Sequence, residues 1–316
     1  MEKIIRIGTR ESQLAVWQAT QVKELLSRFG YRAELVYIKS EGDIDLKTPL
    51  YAMGVQGVFT RSLDIALLND KIDMAVHSMK DVPTQLPTGI VQSAVLKRAS
   101  YKDLFVMNSQ WSMTNIHTTD DFFTIHHSPF TIATSSIRRK AQWLNRYPNH
   151  TIENLRGNVN TRLRKVEESN WHGAIFAAAG LERINLRPQN SIELDWMLPA
   201  PAQGAIMVVC REEDEYSLKA CNHFNDTNTA LCTKIERDFL RLLLGGCSTP
   251  ISALAEINND VVHLKGNILS LDGKAKVEIE KTVSTNQASD LGIIAANELL
   301  NKGGKEIADS IRHGSK

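Results

Sequence analysis

An α/β fold is the class this sequence predicts, on three observations. Short apolar runs of strand length alternate with amphipathic helical patterns through the first two thirds of the chain. The segment Pro199-Ala200-Pro201-Ala202-Gln203-Gly204 then reads as a linker or hinge, because its prolines restrict the backbone and resist helix. Beyond it, a long helical pattern, alternating strands and a late helix predict a separate α+β unit.

Ile4 to Gly8 reads as the first strand. Leu14, Trp17, Val22, Leu25, Leu26 and Phe29 follow at helical spacing, and Ser12 is placed to cap that helix. Ala33 to Ile38 reads as a strand, Arg61 to Leu68 as a helix, and Asp73 to Val76 as a buried strand. Gly54-Val55-Gln56-Gly57 lies in a loop with enough glycine to move. A second α/β unit begins near Asp103-Leu104-Phe105-Val106 and continues through Phe130 to Ala133, a helix after Ser136, a helix after Asn160 and the run Ala174 to Ala177. The polar segment from Asn108 to Pro129 reads as irregular. The third region starts around Cys221, with Ile235, Phe239, Leu242 and Leu243 on a long helix, strands at Val261–Leu264 and Lys276–Glu280, and a helix around Leu291 to Leu300.

A chain of 316 residues with ordinary apolar and charged fractions suggests two or three domains. No apolar run is long enough to cross a membrane and no signal-peptide pattern opens the chain, which places the protein in the cytoplasm. Its four cysteines, Cys210, Cys221, Cys232 and Cys247, are too widely spaced for a CxxC metal clamp or a dense disulfide framework. The histidines form no metal constellation either; His126-His127 sit in the irregular segment, and His77 reads as a strand-end hydrogen-bonding residue. A net charge of +1 argues against coating nucleic acid. The charge is nonetheless uneven: from Arg138 to Lys165, eight basic side chains face Glu153 alone. Mostly arginine, that excess suggests either a site for a compact polyanion or exposed helix faces.

Five segments can carry chemistry. The strand ending at Val76 delivers His77, Ser78, Lys80 and Asp81 abruptly ahead of Pro83, and open α/β sheets bind ligands at the carboxyl ends of their strands. Asp81 is the candidate catalytic group, since a carboxylate there can hold an N–H donor, stabilise a developing cation and pass a proton; a solvated turn is the plainer reading. Thr134-Ser135-Ser136-Ile137-Arg138-Arg139 opens a helix after a strand, so hydroxyls, N–H groups and two guanidinium groups converge on one anion, with Ser136 capping in any case. Leu155-Arg156-Gly157-Asn158-Val159-Asn160-Thr161-Arg162 repeats that theme, as do Arg10 and Ser12 after the first strand. Three such loops favour one cleft, although any single arginine can equally form a salt bridge. Gly245-Gly246-Cys247-Ser248-Thr249-Pro250 breaks a helix and offers a thiol, either as a nucleophile able to form a thioether or as a small buried hydrophobe. Arg183, after Ala178-Ala179-Gly180-Leu181-Glu182, has the length to reach the same cleft.

Taken in order, Gly8-Thr9-Arg10-Glu11-Ser12, Val76 to Pro83, Thr134 to Arg139, Arg156 to Arg162 and Gly245-Gly246-Cys247 resemble the porphobilinogen deaminase family, also called hydroxymethylbilane synthases, along nearly the whole chain. The resemblance implies two periplasmic-binding-protein-like lobes around a cleft plus a small α+β C-terminal domain. Residues 1–98 with a return segment at 200–218 would form domain 1, residues 99–199 domain 2, and residues 219–316 domain 3. It implies a dipyrromethane cofactor joined by a thioether to Cys247, and a transferase that adds four porphobilinogen units head to tail, releasing ammonia each time, to give hydroxymethylbilane for haem biosynthesis. Asp81 would be catalytic. Lys80, Ser78, Thr134, Ser135, Ser136, Arg138 and Arg139 would hold the cofactor, and Arg10, Ser12, Arg156, Arg162, Arg183 and Gln203 the growing chain, whose acetates and propionates make it the expected polyanion. The implied enzyme is a cytoplasmic monomer that uses no metal and binds neither nucleic acid nor membrane. The alternative is a non-catalytic cytoplasmic binding protein for a small polyanion. One departure stands out: Ala52 and Gln56 occupy loop positions where the family commonly carries lysine, with Phe59 and Arg61 nearby.

Overall fold

The computed structural model describes residues 3–39, 60–111, 120, 129–243 and 249–314. Strand β1 (Ile5–Thr9) buries Ile5 and Ile7, and Ser12 opens helix α1 (Gln13–Arg28) by accepting a hydrogen bond from the Ala15 N–H at 3.4 Å. Ala15, Ala19, Val22 and Leu26 recur at helical spacing and pack this helix on the sheet. Phe29 lies one residue past the helix, exposed and stacked on His223, so it leaves the core face that its spacing predicts. Strand β2 (Ala33–Tyr37), helix α2 (Arg61–Leu68), strand β3 (Met74–Ser78) and strand β4 (Ile90–Val95) continue the first lobe.

The second lobe holds β5 (Asp103–Met107), β6 (Thr131–Ala133), α3 (Ile137–Arg146), β7 (Thr151–Glu153), α4 (Val159–Glu167), β8 (Gly173–Ala177), α5 (Ala178–Glu182) and β9 (Ser191–Glu193). Its sheet runs β7-β6-β8-β5-β9, while the first runs β2-β1-β3-β10-β4 with β10 (Ile206–Arg211) supplied from far along the chain. In each sheet the fourth strand is antiparallel to the third, and it is the strand that enters directly after the chain crosses between lobes. Two crossings therefore tie the lobes, one over residues 96–102 and one over 194–205.

Helix α4 is capped by Asn158, whose side chain accepts from the Thr161 N–H at 3.0 Å, so it starts earlier than the helix read after Asn160. Asn160 instead donates to Gln13 Oε1 at 3.0 Å, across to the first lobe. Helix α6 (Glu215–Asn222) packs Ala220 and Cys221 into the first sheet's core, with Cys221 Sγ 3.7 Å from Met74 Sδ. Cys221 therefore belongs to the first lobe rather than opening the third region.

That region begins with α7 (Thr227–Leu242), followed by the antiparallel sheet β11 (Ile251–Asn258), β12 (Val261–Leu269) and β13 (Lys276–Ser284), then α8 (Leu291–Leu299) and α9 (Lys305–Gly314). The late helix read around Leu291 to Leu300 is α8, and α9 follows it beyond Gly303, which takes a φ of 102° that other residues avoid. Ile235 and Phe239 of α7 share one core with Leu291, Ala295 and Leu299 of α8 and with the sheet. Helices α7 and α8 approach so closely that a Cβ at Gly292 would sit 2.1 Å from the Ile235 carbonyl oxygen. Gly292→Ala is expected to destabilise the protein by roughly 1–3 kcal/mol, because backbone cannot yield as a side chain can; an unchanged denaturation midpoint would count against that packing.

Candidate active site

Strand β3 ends at Ser78 and the chain makes one 3₁₀ turn, Met79–Asp81. Met79 is buried and anchors the turn, leaving Lys80 and Asp81 half-buried at its surface. Arg237 of α7 braces it from behind, donating to the carbonyls of Val82 at 2.9 Å and Pro83 at 2.6 Å, with a longer contact to Met79 at 3.4 Å. The C-terminal unit thus grips the backbone on either side of Asp81.

Across the cleft, Ser136 caps α3 by accepting from the Arg139 N–H at 3.4 Å, and Arg138 and Arg139 lie on the helix's first turn. Both guanidinium groups are buried, and both meet Asp103 at the head of β5. Arg138 Nη2 donates to Oδ2 at 2.7 Å, and Arg139 donates to Oδ1 through Nη2 at 2.7 Å and Nε at 3.1 Å. Their remaining Nη1 groups are fixed on backbone carbonyls, Leu198 for Arg138 at 2.6 Å and Ile175 for Arg139 at 2.9 Å. Asp103 is held down at about 2: burial opposes ionisation, but the two arginines and the Gln203 hydrogen bond override it. Burial depresses Arg138, with Asp103 opposing and Arg139 adding to the depression.

Gln203 joins the two lobes here. Its Nε2 donates to Asp103 Oδ1 at 2.9 Å and to the Tyr101 carbonyl at 2.8 Å, while its Oε1 accepts from Lys80 Nζ at 3.4 Å. Burial brings Lys80 down to about 8, with Asp81 and Asp103 opposing the shift and Arg139 and Arg138 adding to it. Arg162 is brought down to about 10 by burial and by its neighbours Arg139 and Arg156, with Asp81 opposing. These mutual effects bring Lys80, Asp81, Arg138, Arg139, Arg156 and Arg162 into one electrostatic neighbourhood from separate loops. Five cations there face two carboxylates.

Other expected site residues have defined partners. Ser12 caps α1, Thr134 Oγ1 accepts from the Ser136 N–H at 3.2 Å, and Ser78 Oγ pairs with Gln18 at 2.8 Å. Ser135 faces the neighbouring loop, donating toward Asn154 Oδ1 and the Leu155 carbonyl and accepting from the Leu155 N–H at 3.0 Å. Arg162 Nε donates to the Gly157 carbonyl at 2.7 Å, and buried Arg156 offers its own carbonyl to Lys165 at 3.1 Å. Arg183 spans the lobes, donating to the Gly204 carbonyl at 2.7 Å with its guanidinium 5.7 Å from the Trp17 ring centroid. Arg10 follows β1 half-buried and acts electrostatically on His77. Burial and that charge hold His77 near 4, and its Nε2 has no hydrogen-bond partner among the described residues. Arg61 is exposed on α2.

The cysteines divide sharply. Burial pushes the Cys210 thiol up to about 11 and those of Cys221 and Cys232 to about 12, so all three stay protonated at neutral pH. Cys247 and its two glycines lie outside the described residues, as do Ala52, Gln56 and Phe59, the Gly54–Gly57 loop, and His126-His127. Among the described residues, no group of three or more His, Cys, Asp or Glu side chains is placed to hold a metal ion, and no helix is long and apolar enough to cross a membrane. Sequence reasoning missed Asp103 and Gln18. A carboxylate leading the apolar run Leu104-Phe105-Val106 was the available signal, because an acid at the head of a buried strand requires partners.

The chain matches known proteins along nearly its whole length. A family model described as porphobilinogen deaminase, dipyromethane cofactor binding domain, matches residues 5–219, and one described as porphobilinogen deaminase, C-terminal domain, matches residues 230–301. The porphobilinogen deaminase of Chlorobium phaeobacteroides (strain BS1) is 38% identical over 320 residues, 99% of each chain. That of Trichlorobacter lovleyi (strain ATCC BAA-1151 / DSM 17278 / SZ) is 39% identical over 313 residues, 98% of this chain and 97% of its own. Among solved structures, the methionine binding protein MetQ aligns with 72% of this chain and 92% of its own at 13% identity and a TM-score of 0.42.

Lys80 loses its proton near 8 instead of the ordinary 10.5, so the cleft's grip on an anion is expected to weaken as pH rises from 7 to 9, by at most about tenfold per pH unit. Lys80→Arg, charged throughout that range, should flatten the dependence. Calorimetric titration with porphobilinogen at both pH values measures it, and equal slopes for the two proteins would remove Lys80 as the cause.

Proposed function

The chain belongs to the porphobilinogen deaminase family, and from that premise we propose how its own residues carry the reaction. The enzyme polymerises porphobilinogen head to tail into hydroxymethylbilane, releasing ammonia at each of four additions, and serves tetrapyrrole biosynthesis. Its domain over residues 5–219 binds a dipyrromethane cofactor. Family membership sets aside a purely binding role.

The described residues fit that group. Each pyrrole carries an acetate and a propionate, and the excess of cations over carboxylates around Lys80, Arg138, Arg139, Arg156 and Arg162 is what several ligand carboxylates would offset. Arg138 Nε, buried without a partner, is one donor available to them. When bound, the dipyrromethane supplies the α-carbon that accepts the first substrate unit. We assign Lys80, Arg138, Arg139, Ser78, Thr134 and Ser136 to hold it and Cys247 to tether it. Ser135 supports the site from its place on the Leu155 loop. Arg10, Ser12, Arg156, Arg162 and Arg183 are assigned to the substrate side.

Each addition breaks the bond between the substrate's methylene carbon and its amine, which leaves as ammonia after protonation. A carbon–carbon bond forms, and the accepting ring loses its α-proton. Asp81 is the catalytic residue in this proposal. Its carboxylate accepts the pyrrole N–H, offsets the positive charge left as the amine departs, and helps move the displaced proton. Arg162 and Lys80 are its cationic neighbours. The observation that carries the assignment is the Lys80–Gln203–Asp103 chain, which sets the Asp81 turn beside the two arginines of the opposite lobe.

We also divide the chain into domain 1 (residues 1–98 and the return segment from 200), domain 2 (99–199) and domain 3. The return segment extends to 222 because α6 packs on the first sheet. We place the enzyme in the cytoplasm as a monomer. Three buried, unpaired thiols suit a reducing compartment, and one chain brings the acidic and basic groups together without a partner subunit. The main basic groups point to a small polyanion rather than nucleic acid, since Arg138, Arg139 and Arg156 are buried.

Asp81→Asn is expected to keep the fold and the cofactor mass while lowering turnover by about 10²-fold or more. Near-normal product formation would remove Asp81 from the chemistry. Intact mass spectrometry should show an added dipyrromethane on the wild type and none on Cys247→Ala; an added mass that persists would place the tether elsewhere.

A further inference from the structure

Asp103 and Gln203 lie too deep to meet the growing chain, at 0% and 1% exposure, yet they connect the three cations assigned to the cofactor. One Asp103 oxygen serves Arg138, and the other serves Arg139 and the Gln203 amide. With their Nη1 groups also fixed on carbonyls, the two guanidinium groups have no freedom to swing. Two arginines on one carboxylate leave a net positive charge in a buried place, a standing penalty that an incoming carboxylate relieves.

Gln203 extends this arrangement to the other lobe. Its carboxamide turns an N–H toward Asp103 and an oxygen toward Lys80, so it ties Lys80 in without altering the total charge. A glutamate there would accept from Lys80 equally well, but would repel Asp103 and reduce the positive excess. The backbone of residue 203 is itself held, since its carbonyl accepts from Arg98 Nε at 2.8 Å and its N–H donates to the Ala200 carbonyl at 2.9 Å. The link therefore sits on a clamped stretch of the connector that returns from the second lobe to the first.

We propose that Asp103 and Gln203 are positioning residues for the cofactor: Asp103 orients Arg138 and Arg139, and Gln203 joins Lys80 to the same carboxylate. Three cations from two lobes then form one pre-set anion seat at the interlobe connector. The proposal rests on the reading that Lys80, Arg138 and Arg139 hold the cofactor, and it concerns what sets their geometry. Neither residue contacts a reacting atom.

The test uses the full-length holoenzyme and the near-isosteric Gln203→Glu. Expected are at least a tenfold fall in kcat with KM within twofold, faster loss of the cofactor mass, and a melting temperature within a few degrees of wild type. A purely structural role would instead lower the melting temperature in step with activity. In a Lys80→Gln background, Gln203→Met, which removes the link without adding charge, should add less to the loss than it does alone, since the partner is already gone. Wild-type kcat and cofactor retention in Gln203→Glu, or losses in Gln203→Met that multiply fully with those of Lys80→Gln, would overturn the proposal. If Gln203→Glu does not fold, Gln203→Met removes the carboxamide's hydrogen bonds to Asp103, Lys80 and the Tyr101 carbonyl without adding charge; it should release cofactor several-fold faster, and wild-type retention would again overturn it. Full cofactor retention and kcat in Lys80→Gln would instead strike at the reading beneath. A damaged Lys80→Gln beside a normal Gln203→Glu strikes at the link alone.

Discussion

One carboxylate shared by two guanidinium groups organises the centre of this enzyme. Asp103 starts the strand that enters the second lobe, Arg138 and Arg139 start the helix beside it, and neither arginine could stay buried without the acid. Because the cluster is short of one negative charge, its burial leaves one cation uncompensated and suits it to anions. Its geometry is set before any ligand arrives, which limits the reorganisation required on binding.

The C-terminal unit contributes through helix α7. Glu236, fully buried, accepts from Arg98 on the first connector at 2.6 and 3.1 Å, from the Ala202 N–H on the second at 2.6 Å, and from the Ala255 N–H of β11 at 2.7 Å. One carboxylate thereby joins both interlobe crossings to the third unit. The next residue, Arg237, grips the backbone around Asp81. Helix α7, which braces the Asp81 turn, ends at Leu242, five positions ahead of Cys247 in the sequence. Contacts from α3 extend the attachment to the second lobe, where Gln142 reaches Ser252 and Asn145 reaches the Gly273 carbonyl.

Much of this was legible in the residues. Periodicity located Arg61–Leu68 to the residue, and hydroxyl caps at Ser12 and Ser136 marked their helices because capping is local chemistry between neighbours three positions apart. Asn158 and Asn160 were harder to separate, since both are good caps two positions apart and only the Gly157 turn chooses between them. Cys221 was assigned to the wrong unit for a different reason. A helix after a return strand carries no mark in its own sequence of which sheet it covers, and the core it joins contains Met74, 147 positions away.

The sequence by itself determined the alternation of strands and helices, the strand-end placement of Lys80 and Asp81, and the arginine excess between positions 138 and 165, because each depends on spacing or composition within a short window. It also carried the ordered motifs by which the family is known. Tertiary structure alone decided which polar groups face a ligand and which face one another. Gln203 and Ser135 read as ligand contacts in the chain, yet each is turned to a neighbour, and Asp103 emerged only when β5 came to lie beside α3. The reason is physical: a buried polar group must find its partner wherever the fold brings one, and here those partners lie 20 to 123 residues away.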